Sequence, residues 1–527
     1  MTCPKQPNKT VTDPSPASSI AGLIDRHAAA QPDSLFLIAP ESGRRVSYGA
    51  LRTEAQRFSA CLDAMGIAPG EPVSVMMANG WCSVLAILGA LYSGRVVAPV
   101  NLVAGDAQIG FMLDHSGSRV ALVSREEEQR LRAIAAGISR KIRIIVCDAD
   151  EGPAWPDGPV RGGPADEAAA FAMSDPEADG LLMYTSGTTG HPKGALLTQR
   201  AILAGGTNAI TAHELSGADR TLLVLPLYHI NGFCVSLMSA IAAGASIVVP
   251  HRFSAGRFWA QLLDTHCSWF SAVPTQIQYL LKGAEENGPP LRERLDGVRF
   301  ARSASAPLSP DIQRRFEELT GLIIIETMGL TECAAQILSN PMPPRRRKFG
   351  SPGIAYGNEV AVVDERFARL APGAPGEIIV RGDNVFRLYL KNEQATAEAF
   401  TPDGWFRTGD LGFMDEDGYV FVTGRIKELI IKGGENIAPR EIDEALLAHA
   451  DVVEAAAFAR PCENYGQRVE AAVLLRQHGG CDETELIALC RKAVGAFKAP
   501  DRVHVVKDLP RGPSGKVQRL KLAEMLA

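Results

Sequence analysis

Residues 184–195 read Tyr-Thr-Ser-Gly-Thr-Thr-Gly-His-Pro-Lys-Gly-Ala. Four Ser and Thr hydroxyls, three glycines and one lysine in this window allow backbone amides to approach a polyphosphate closely, with hydroxyls and an ammonium completing the cradle. The apolar runs 180–184 and 195–198 are typical of buried strands. The window therefore predicts a nucleotide-binding loop between two strands of an α/β protein. The alternative is a flexible surface turn, which most Ser/Gly/Thr-rich segments are.

The loop differs from the Walker sequence, in which Gly-Lys-Ser/Thr opens a helix directly. His191 and Pro192 separate Gly190 from Lys193, and Gly194 follows the lysine in place of a hydroxyl. This spacing indicates a different nucleotide-binding fold.

Length and composition exclude several classes of protein. A chain of 527 residues with 46% hydrophobic content predicts two or more domains. The net charge of −6 argues against a nucleic-acid partner. The ten cysteines show no metal-binding or Cys-x-x-Cys spacing, which favours reduced thiols and a cytoplasmic protein. Residues 1–19 do not resemble a signal peptide, and the longest apolar stretch, 83–100, is interrupted by glycines and an arginine. We therefore expect no stable membrane association.

The pattern of elements predicts three regions. Residues 19–130 and 221–281 alternate amphipathic helices with short apolar strands, which indicates two α/β units. After residue 358, short strands with glycine turns predict a small β-rich subdomain. Residues 425–527 alternate helix and strand again, and this length suits a separate α+β domain. The predicted domains are thus 1–424 and 425–527.

Two further motifs place polar residues where strands end. The sequence Leu225-Pro-Leu-Tyr-His229 brings an imidazole to a sheet edge, although a satisfied core histidine is the alternative. The sequence 324–332 predicts an apolar strand, a glycine turn and then Glu332, which is well placed to hold Mg²⁺ on phosphates. An ordinary charge at a helix N-terminus is the other interpretation of Glu332.

Three more motifs occur in the last quarter of the chain. Residues 404–410 predict an aromatic wall and a glycine turn, from which Asp410 could accept ribose hydroxyls; a structural turn aspartate is the alternative. Residues 424–436 contain a charged turn, an apolar strand and a Gly-Gly loop that could pack against a thin ligand. Lys516 lies on a glycine turn and taken alone would be a surface lysine. The run Arg345–Lys348, beside three prolines, is interpreted as a solvated charge run.

Taken in this order, the motifs resemble those of the adenylate-forming superfamily, which includes acyl- and aryl-CoA synthetases, luciferases and the adenylation domains of peptide synthetases. The resemblance covers nearly the whole chain. It implies a small mobile C-terminal domain and an acyl-adenylate intermediate. It also implies ATP and coenzyme A as co-substrates and Mg²⁺ as the cofactor. Small-molecule carboxylic acids would be the other substrates, and a homodimer is one expected assembly.

The resemblance also assigns residues. It implies Lys516 as the catalytic lysine, Lys427 as the hinge, and Glu332 as the metal ligand. The positions implied for ATP are Thr185, Ser186, Gly187, Thr188, Thr189, Gly190, Lys193, Ser305, Ala306, Glu326, Thr327, Thr331, Asp410 and Arg425. The positions implied for coenzyme A are Gly433, Gly434 and Lys498.

The thiol acceptor is expected to be free coenzyme A, because the chain ends eleven residues after Lys516 without a carrier domain. A ligase that feeds a separate carrier protein is the alternative. A nucleotide-binding sensor without catalysis is a hypothesis of another class; the presence of Lys193, Glu332, Asp410 and Lys516 argues against it.

Within the superfamily the pattern is most similar to oxalyl-CoA synthetases, in segments 225–232, 269–275, 302–306 and 338–341 among others. The residues implied for the acid pocket are His229, which is also a catalytic candidate, Ser303, Ser305, Met328 and Ala335. Hydroxyls at Ser303 and Ser305 facing His229 would suit a second anionic group on the acid. The chain departs from the oxalyl pattern at Ala335, where a histidine is expected, and this change opens room. We therefore expect the substrate to be sulfoacetate or malonate in the first place and oxalate in the second. The third candidate is a medium-chain or aromatic acid, in a pocket lined by Met328, Phe233 and Ile230.

Overall fold

The computed structural model describes residues 19–154, 175–185, 192–287, 295–476, 480–511 and 517–526. The first sheet is mostly parallel and ends in an antiparallel hairpin. Its strands, in spatial order, are Leu388–Tyr389, Lys193–Thr198, Asp179–Thr185, Val96–Pro99, Pro72–Met76, Val120–Ser124, Arg143–Asp148 and Gly152–Pro153. The hairpin pairs Thr185 with Lys193, so the predicted loop between two strands is confirmed at its two ends.

Helices alternate with strands through the first part of the chain, as the apolar periodicity predicts, although the two strands after the first helix belong to the second sheet. These helices are Ile20–Ala30, Tyr48–Ala64, Trp81–Tyr92, Asp106–Ser116 and Glu128–Ala136. Trp81–Tyr92 is buried along its whole length, which explains why its sequence is apolar on all sides. Among the described residues, no helix has the length and apolar character needed to cross a membrane.

The second sheet has parallel central strands, whose carboxyl ends meet at one edge. Its strands, in spatial order, are Ile354–Ala355, Ala335–Ser339, Ile324–Leu330, Phe300–Ser303, Trp269–Ala272, Arg220–Leu222, Ser246–Val248, Leu35–Ala39 and Arg44–Ser47. The associated helices are Gln199–His213, Ser239–Ala243, Ala255–Asp264, Pro274–Asn287 and Pro310–Thr320. A π-helix, Asn231–Met238, runs directly into Ser239–Ala243; the sequence predicts one ordinary helix over 232–242.

The predicted β-rich subdomain is an antiparallel sheet. Its strands are Glu359–Val363, Gly376–Arg381, Phe406–Met414 and Val420–Arg425. The helix Glu393–Glu398 follows strand Leu388–Tyr389, which returns to the first sheet and pairs with Lys193–Thr198. This return places residues of the third region beside the phosphate-loop hairpin.

The C-terminal region has its own sheet and core. Its strands are Ile430–Lys432, Glu435–Ile437, Val452–Cys462, Gly466–Leu475 and Arg502–Val505, and its helices are Pro439–Leu447, Glu483–Val494 and Arg519–Met525. Ile430, Ile442, Leu446 and Leu486 are fully buried in this core. The predicted α/β fold with a smaller α+β region is confirmed. The boundary at residue 424 stays a prediction; the strand before it ends at Arg425.

The structure corrects two predicted glycine turns. Gly329 lies inside strand Ile324–Leu330, where a Cβ atom would meet the Ala335 carbonyl oxygen at 1.8 Å, so glycine is needed for close backbone approach. Asp410 lies inside strand Phe406–Met414, directly after Gly409 with φ +70°. In both cases the glycine accommodates an irregular strand.

The predicted solvated charge run is corrected in part. Arg347 forms an ion pair with Glu317, and Lys348 bridges Asp415 and Asp417 at 2.6 Å from each. Both basic side chains are largely buried. Their acidic partners lie on neighbouring elements, so these ion pairs hold the loop in place.

Candidate functional site

The two ends of the phosphate loop meet an aromatic side chain from the third region. Thr185 Oγ1 donates to the Lys193 carbonyl oxygen at 3.4 Å, and Lys193 Nζ lies 4.7 Å from the centre of the Tyr389 ring. A cation at this distance over a ring is attracted to its electron-rich face. The residues between them that sequence reasoning assigns to ATP lie outside the described residues: Ser186, Gly187, Thr188, Thr189 and Gly190.

Tyr389 also contacts Glu332. Its hydroxyl donates to Glu332 Oε1 at 2.8 Å, and the backbone N–H of Phe386 donates to the Glu332 carbonyl oxygen at 2.7 Å. Burial and then the Glu332 carboxylate raise the pKa of Tyr389, so its hydroxyl keeps its proton and remains a donor. Sequence reasoning missed Tyr389, which has no motif of its own and lies in a strand of two residues.

Asp410 and Arg425 are direct partners across two antiparallel strands. Arg425 Nε lies 2.7 Å from Asp410 Oδ1, and the Asp410 N–H donates to Thr408 Oγ1. The buried Cys333 thiol lies beside this pair: burial, and then the carboxylates of Glu332 and Asp410, raise its pKa. The structure therefore brings Glu332, Asp410 and Arg425 into one cluster.

The acid-pocket candidates lie at the carboxyl ends of adjacent parallel strands. Ser303 is opposite Ala272 on one side and Glu326 on the other. Ser303 is fully buried, and its hydroxyl has no hydrogen-bond partner among the described residues. Thr327 Oγ1 donates to the Ser303 carbonyl oxygen at 3.2 Å. Buried hydroxyls without a partner are rare in folded proteins.

Ser305 has a backbone conformation that is rare for residues other than glycine, with φ +74°. Such strain in a folded protein is concentrated at binding sites. The Ser305 hydroxyl accepts a hydrogen bond from Asn231 Nδ2 at 3.5 Å. His229 is half-buried, two residues before Asn231, and stacks edge-on against Tyr228. Sequence reasoning placed Asn231 in a motif without assigning it a role.

Glu326 is a buried carboxylate with incomplete hydrogen bonding. Its Oε1 accepts from the Leu308 N–H at 3.2 Å, and Oε2 has no partner among the described residues. Burial raises the pKa of Glu326 to about 7, an effect that the Leu308 N–H and Arg440 oppose and Glu444 reinforces. Arg440 and Glu444 belong to helix Pro439–Leu447, so the C-terminal region lies close to this end of the pocket.

The remaining acid and nucleotide candidates line the same strand edge. Ala334 and Ala335 both have positive φ, +46° and +80°, immediately after the short helix Thr331–Cys333. Ala335 is buried, Met328 and Thr331 are half-buried, and Ala306 is exposed. A methyl group thus occupies the position where the oxalyl pattern has a histidine.

The candidates for the hinge and coenzyme A lie on the C-terminal side. Lys427 is exposed in the short helix Ile426–Glu428. Gly433 and Gly434 are exposed with φ +60° and +86°, and Lys498 Nζ lies 2.6 Å from Glu441. Lys516 lies outside the described residues.

Two exposed aromatic side chains, which sequence reasoning missed, flank this glycine loop. A Cβ atom on Gly433 would lie 3.2 Å from the Tyr465 ring and 3.8 Å from the Phe497 ring. Their relative exposures of 49% and 43% are high for large aromatic residues.

The donor set near Glu332 fits a magnesium ion. Mg²⁺ prefers carboxylate and hydroxyl oxygens and keeps substrate phosphates as further ligands. Glu332 and Thr331 supply such oxygens, half-buried beside Lys193 and Tyr389. These residues would hold the ion against a polyphosphate.

Comparison with known proteins agrees with this geometry. The family model described as AMP-binding enzyme matches residues 24–390, and the model for the AMP-binding enzyme C-terminal domain matches residues 441–516. The chain belongs to the AMP-binding enzyme family. It is 44% identical to a sulfoacetate–CoA ligase of Cupriavidus necator, covering 97% of this chain and 98% of the relative. It is 34% identical to an oxalate–CoA ligase of Arabidopsis thaliana, covering 96% and 98%.

A solved structure of a related fold agrees over the whole length. ATP-bound MatB from Rhodopseudomonas palustris superimposes with a TM-score of 0.84 at 28% identity, covering 96% of this chain and 98% of that one. The enzyme is therefore an AMP-forming acyl-CoA synthetase that uses ATP and coenzyme A. The predicted family, fold and reaction class are confirmed.

Proposed function

We propose that the enzyme activates a short carboxylic acid that carries a second anionic group, with sulfoacetate as the first candidate. The observation that carries this proposal is the buried Ser303 hydroxyl, which has no partner among the described residues. An alkyl chain or a phenyl ring would leave that hydroxyl unpaired, whereas a sulfonate or carboxylate oxygen would accept its hydrogen bond and gain binding free energy. The name of the Cupriavidus relative supports the same acid.

The reaction has two steps. In the first, a carboxylate oxygen of the acid attacks the α-phosphorus of ATP, pyrophosphate leaves, and a mixed anhydride with AMP forms. In the second, the coenzyme A thiolate attacks the acyl carbon and AMP leaves. Both steps gain from fixed positive charge near the α-phosphoryl oxygens, where negative charge accumulates.

The roles of the nucleotide-side residues follow from their positions. We assign Thr185, Lys193 and the loop between them to the triphosphate, and the Asp410–Arg425 pair to the ribose and α-phosphate. Glu332 would hold Mg²⁺, which when bound neutralises phosphate charge, and Tyr389 would fix the orientation of that carboxylate. Lys516 is proposed to stabilise the first transition state.

The thioester step is assigned to the C-terminal domain. We propose that rotation about Lys427 withdraws Lys516 and brings the loop at Gly433 and Gly434 to the adenylate. The exposed rings of Tyr465 and Phe497 would then flank coenzyme A.

Thioester formation across a panel of acids tests the substrate. We expect kcat/KM for sulfoacetate to exceed that for malonate and oxalate, and all three to exceed hexanoate and benzoate. A clear preference for hexanoate or benzoate would refute the proposed second anionic group.

The catalytic assignment is tested separately by pyrophosphate exchange with the wild type and Lys516→Ala. We expect exchange to fall on the order of a hundredfold or more in the variant, because a charge that stabilises the transition state is lost. Equal rates would contradict the assignment. Product mass spectrometry with free coenzyme A present distinguishes coenzyme A from a carrier protein as the acceptor.

The nine cysteines that the structure describes are all free thiols, most of them buried. This supports the proposed cytoplasmic location, where thiols stay reduced. The homodimer stays a prediction, which light scattering of the purified enzyme checks.

A further inference from the structure

Arg302 is a buried cation beside Ser303, one of the residues of the proposed acid pocket. It lies on strand Phe300–Ser303 and is 1% exposed. Its Nη1 donates to Asn231 Oδ1 at 2.8 Å and to Ser271 Oγ at 3.0 Å. Its Nε and Nη2 donate to Gln336 Oε1 at 3.4 and 3.3 Å. Every acceptor of the guanidinium is thus a neutral oxygen.

Among the residues that the structure describes, no carboxylate forms an ion pair with Arg302. The contrast is Arg95, which is equally buried but pairs with Asp63. Burial lowers the pKa of Arg302 to about 9, so the side chain is still protonated at neutral pH. A buried charge without a counter-charge costs free energy, and side chains of this kind are rare unless an opposite charge is supplied.

The charge is connected to the pocket through one amide. Asn231 Oδ1 accepts from Arg302 and from the Ser271 hydroxyl, which fixes the orientation of the amide. The Asn231 NH₂ group therefore points the other way, to the Ser305 hydroxyl at 3.5 Å. Gln336 is held in the same manner, since its Nε2 donates to the Asn208 carbonyl oxygen and its Oε1 faces Arg302.

We propose that Arg302 makes the acid pocket selective for a second anionic group, acting through Asn231, whose NH₂ group donates to the distal sulfonate or carboxylate of the acid. This inference rests on the proposed function and names the residues that would enforce it. Arg302 is a positioning residue, and Asn231 is the specificity residue that meets the acid. A neutral end of the acid would leave the positive charge uncompensated, whereas an anionic end would supply the missing counter-charge.

The test compares Arg302→Met, Arg302→Lys and the control Arg299→Met with the wild type. Arg299 precedes the same strand but is partly exposed and pairs with Asp219 at 2.8 Å, so its loss does not change the charge beside Ser303. The acid pair is sulfoacetate and 3,3-dimethylbutanoate, in which a tert-butyl group replaces the sulfonate at nearly the same size. The measured quantities are the ratio of the two kcat/KM values and the melting temperature.

We expect Arg302→Met to lower the ratio of sulfoacetate to 3,3-dimethylbutanoate on the order of a hundredfold. Its melting temperature should stay equal or rise, because an uncompensated buried charge is replaced by an apolar side chain of similar length. Arg302→Lys should lower the ratio less than Arg302→Met, since lysine retains the charge but lacks the planar guanidinium that donates on two sides. Arg299→Met should leave the ratio unchanged. An unchanged ratio in Arg302→Met, or an equal loss for both acids, would overturn the inference.

A second variant, Asn231→Asp, tests the same role of Arg302 and Asn231 if Arg302→Met does not fold. The new carboxylate pairs with Arg302 and removes the donor, so we expect a higher melting temperature together with loss of the sulfoacetate preference. A retained preference would contradict the inference. If the wild type itself prefers 3,3-dimethylbutanoate, the proposed function has failed; if only the variants fail to change the ratio, the role of Arg302 has failed.

Discussion

At the scale of single residues, Tyr389 connects the two charged groups nearest the phosphate loop. Its hydroxyl binds the Glu332 carboxylate, and its ring lies under the Lys193 ammonium. Partners of this kind fix the direction of a metal-binding carboxylate. The side chain is therefore well placed to set how Glu332 meets a magnesium–nucleotide complex.

We predict that Tyr389→Phe weakens binding of the magnesium–ATP complex about tenfold, because the Glu332 carboxylate loses its donor while the ring stays. Isothermal titration with ATP in the presence and absence of Mg²⁺ measures the effect, and the weakening should be confined to the experiment with Mg²⁺. The matched control is Tyr92→Phe, whose hydroxyl donates to Asp25 at 3.0 Å away from the site. Equal affinities of Tyr389→Phe and the wild type for magnesium–ATP would exclude this role.

Glu326 predicts a pH dependence of stability. Its pKa is raised from 4.5 to about 7 on folding, so the folded state holds a proton that the unfolded state has released between these values. The free energy of unfolding therefore falls as pH rises through this range, by up to about 3 kcal/mol. Glu326→Gln, which stays neutral, should melt higher than the wild type at pH 8 and nearly equally at pH 5. Thermal unfolding at both pH values checks this, and a difference that does not depend on pH would contradict it.

At the scale of elements, the glycine loop between strands Ile430–Lys432 and Glu435–Ile437 is shaped for close approach. We predict that Gly433→Ala slows thioester formation and leaves pyrophosphate exchange within a few-fold of the wild type. The reason is that φ +60° disfavours a side chain and the new methyl group would press on the Tyr465 ring at 3.2 Å.

The control for this prediction is Gly466→Ala. Gly466 has a similar φ of +71°, but nothing lies within 4 Å of its Cβ position. The new methyl group at 466 would therefore strain the backbone without contacting a neighbouring side chain. If both variants slow the thioester step equally, the loop has no special part in that step.

The short helix Ile426–Glu428 gives the second prediction at this scale. A proline at position 427 fixes φ and restricts rotation of the chain. Lys427→Pro should therefore keep pyrophosphate exchange while thioester formation falls on the order of a hundredfold, since misplacement of the reacting groups is costly. Lys427→Ala, which keeps the backbone free, should retain both activities. Equal loss of the two half-reactions in Lys427→Pro would argue against a hinge.

How far the sequence predicts these elements depends on how local their signals are. The strands around the phosphate loop and the strand before Glu332 follow from apolar runs, and both were predicted within a few residues. The π-helix Asn231–Met238 was not predicted, because its composition is that of any buried helix. The sequence predicts turns at Gly329 and Gly409, because it does not distinguish a turn from an irregular strand. In such strands Gly329 permits close backbone contact, and Gly409 adopts a positive φ.

The site shows the same limit. Glu332, Asp410 and Arg425 stand in distinctive motifs, and the structure brings them together. Tyr389 escaped notice because its partners are distant in sequence. Arg302 lies in the four-residue strand Phe300–Ser303, and whether its side chain faces solvent or the interior depends on the helices that cover the sheet.

At the scale of the whole molecule, Lys427 is an exposed trypsin site between the antiparallel sheet that ends at Arg425 and the C-terminal region. A ligand that contacts both domains would hold this segment in one conformation, and a protease needs it locally extended. We predict that ATP, Mg²⁺ and a non-reactive analogue of the acid slow cleavage after Lys427. Time-resolved gel analysis measures the rate, and Lys427→Ala identifies the fragment. Cleavage at the same rate with and without ligands would contradict the two-domain contact.

The pairing of Asp410 with Arg425 has a consequence for the lifetime of the intermediate. Both residues lie on neighbouring strands of one sheet, and the short helix Ile426–Glu428 begins only after Arg425. If the small domain turns about Lys427, as proposed, the Asp410–Arg425 pair that we assign to the ribose and α-phosphate would stay where it is. The acyl-adenylate would then stay bound between the two half-reactions. Little ATP would be consumed without thioester formation, because the adenylate would rarely dissociate and hydrolyse.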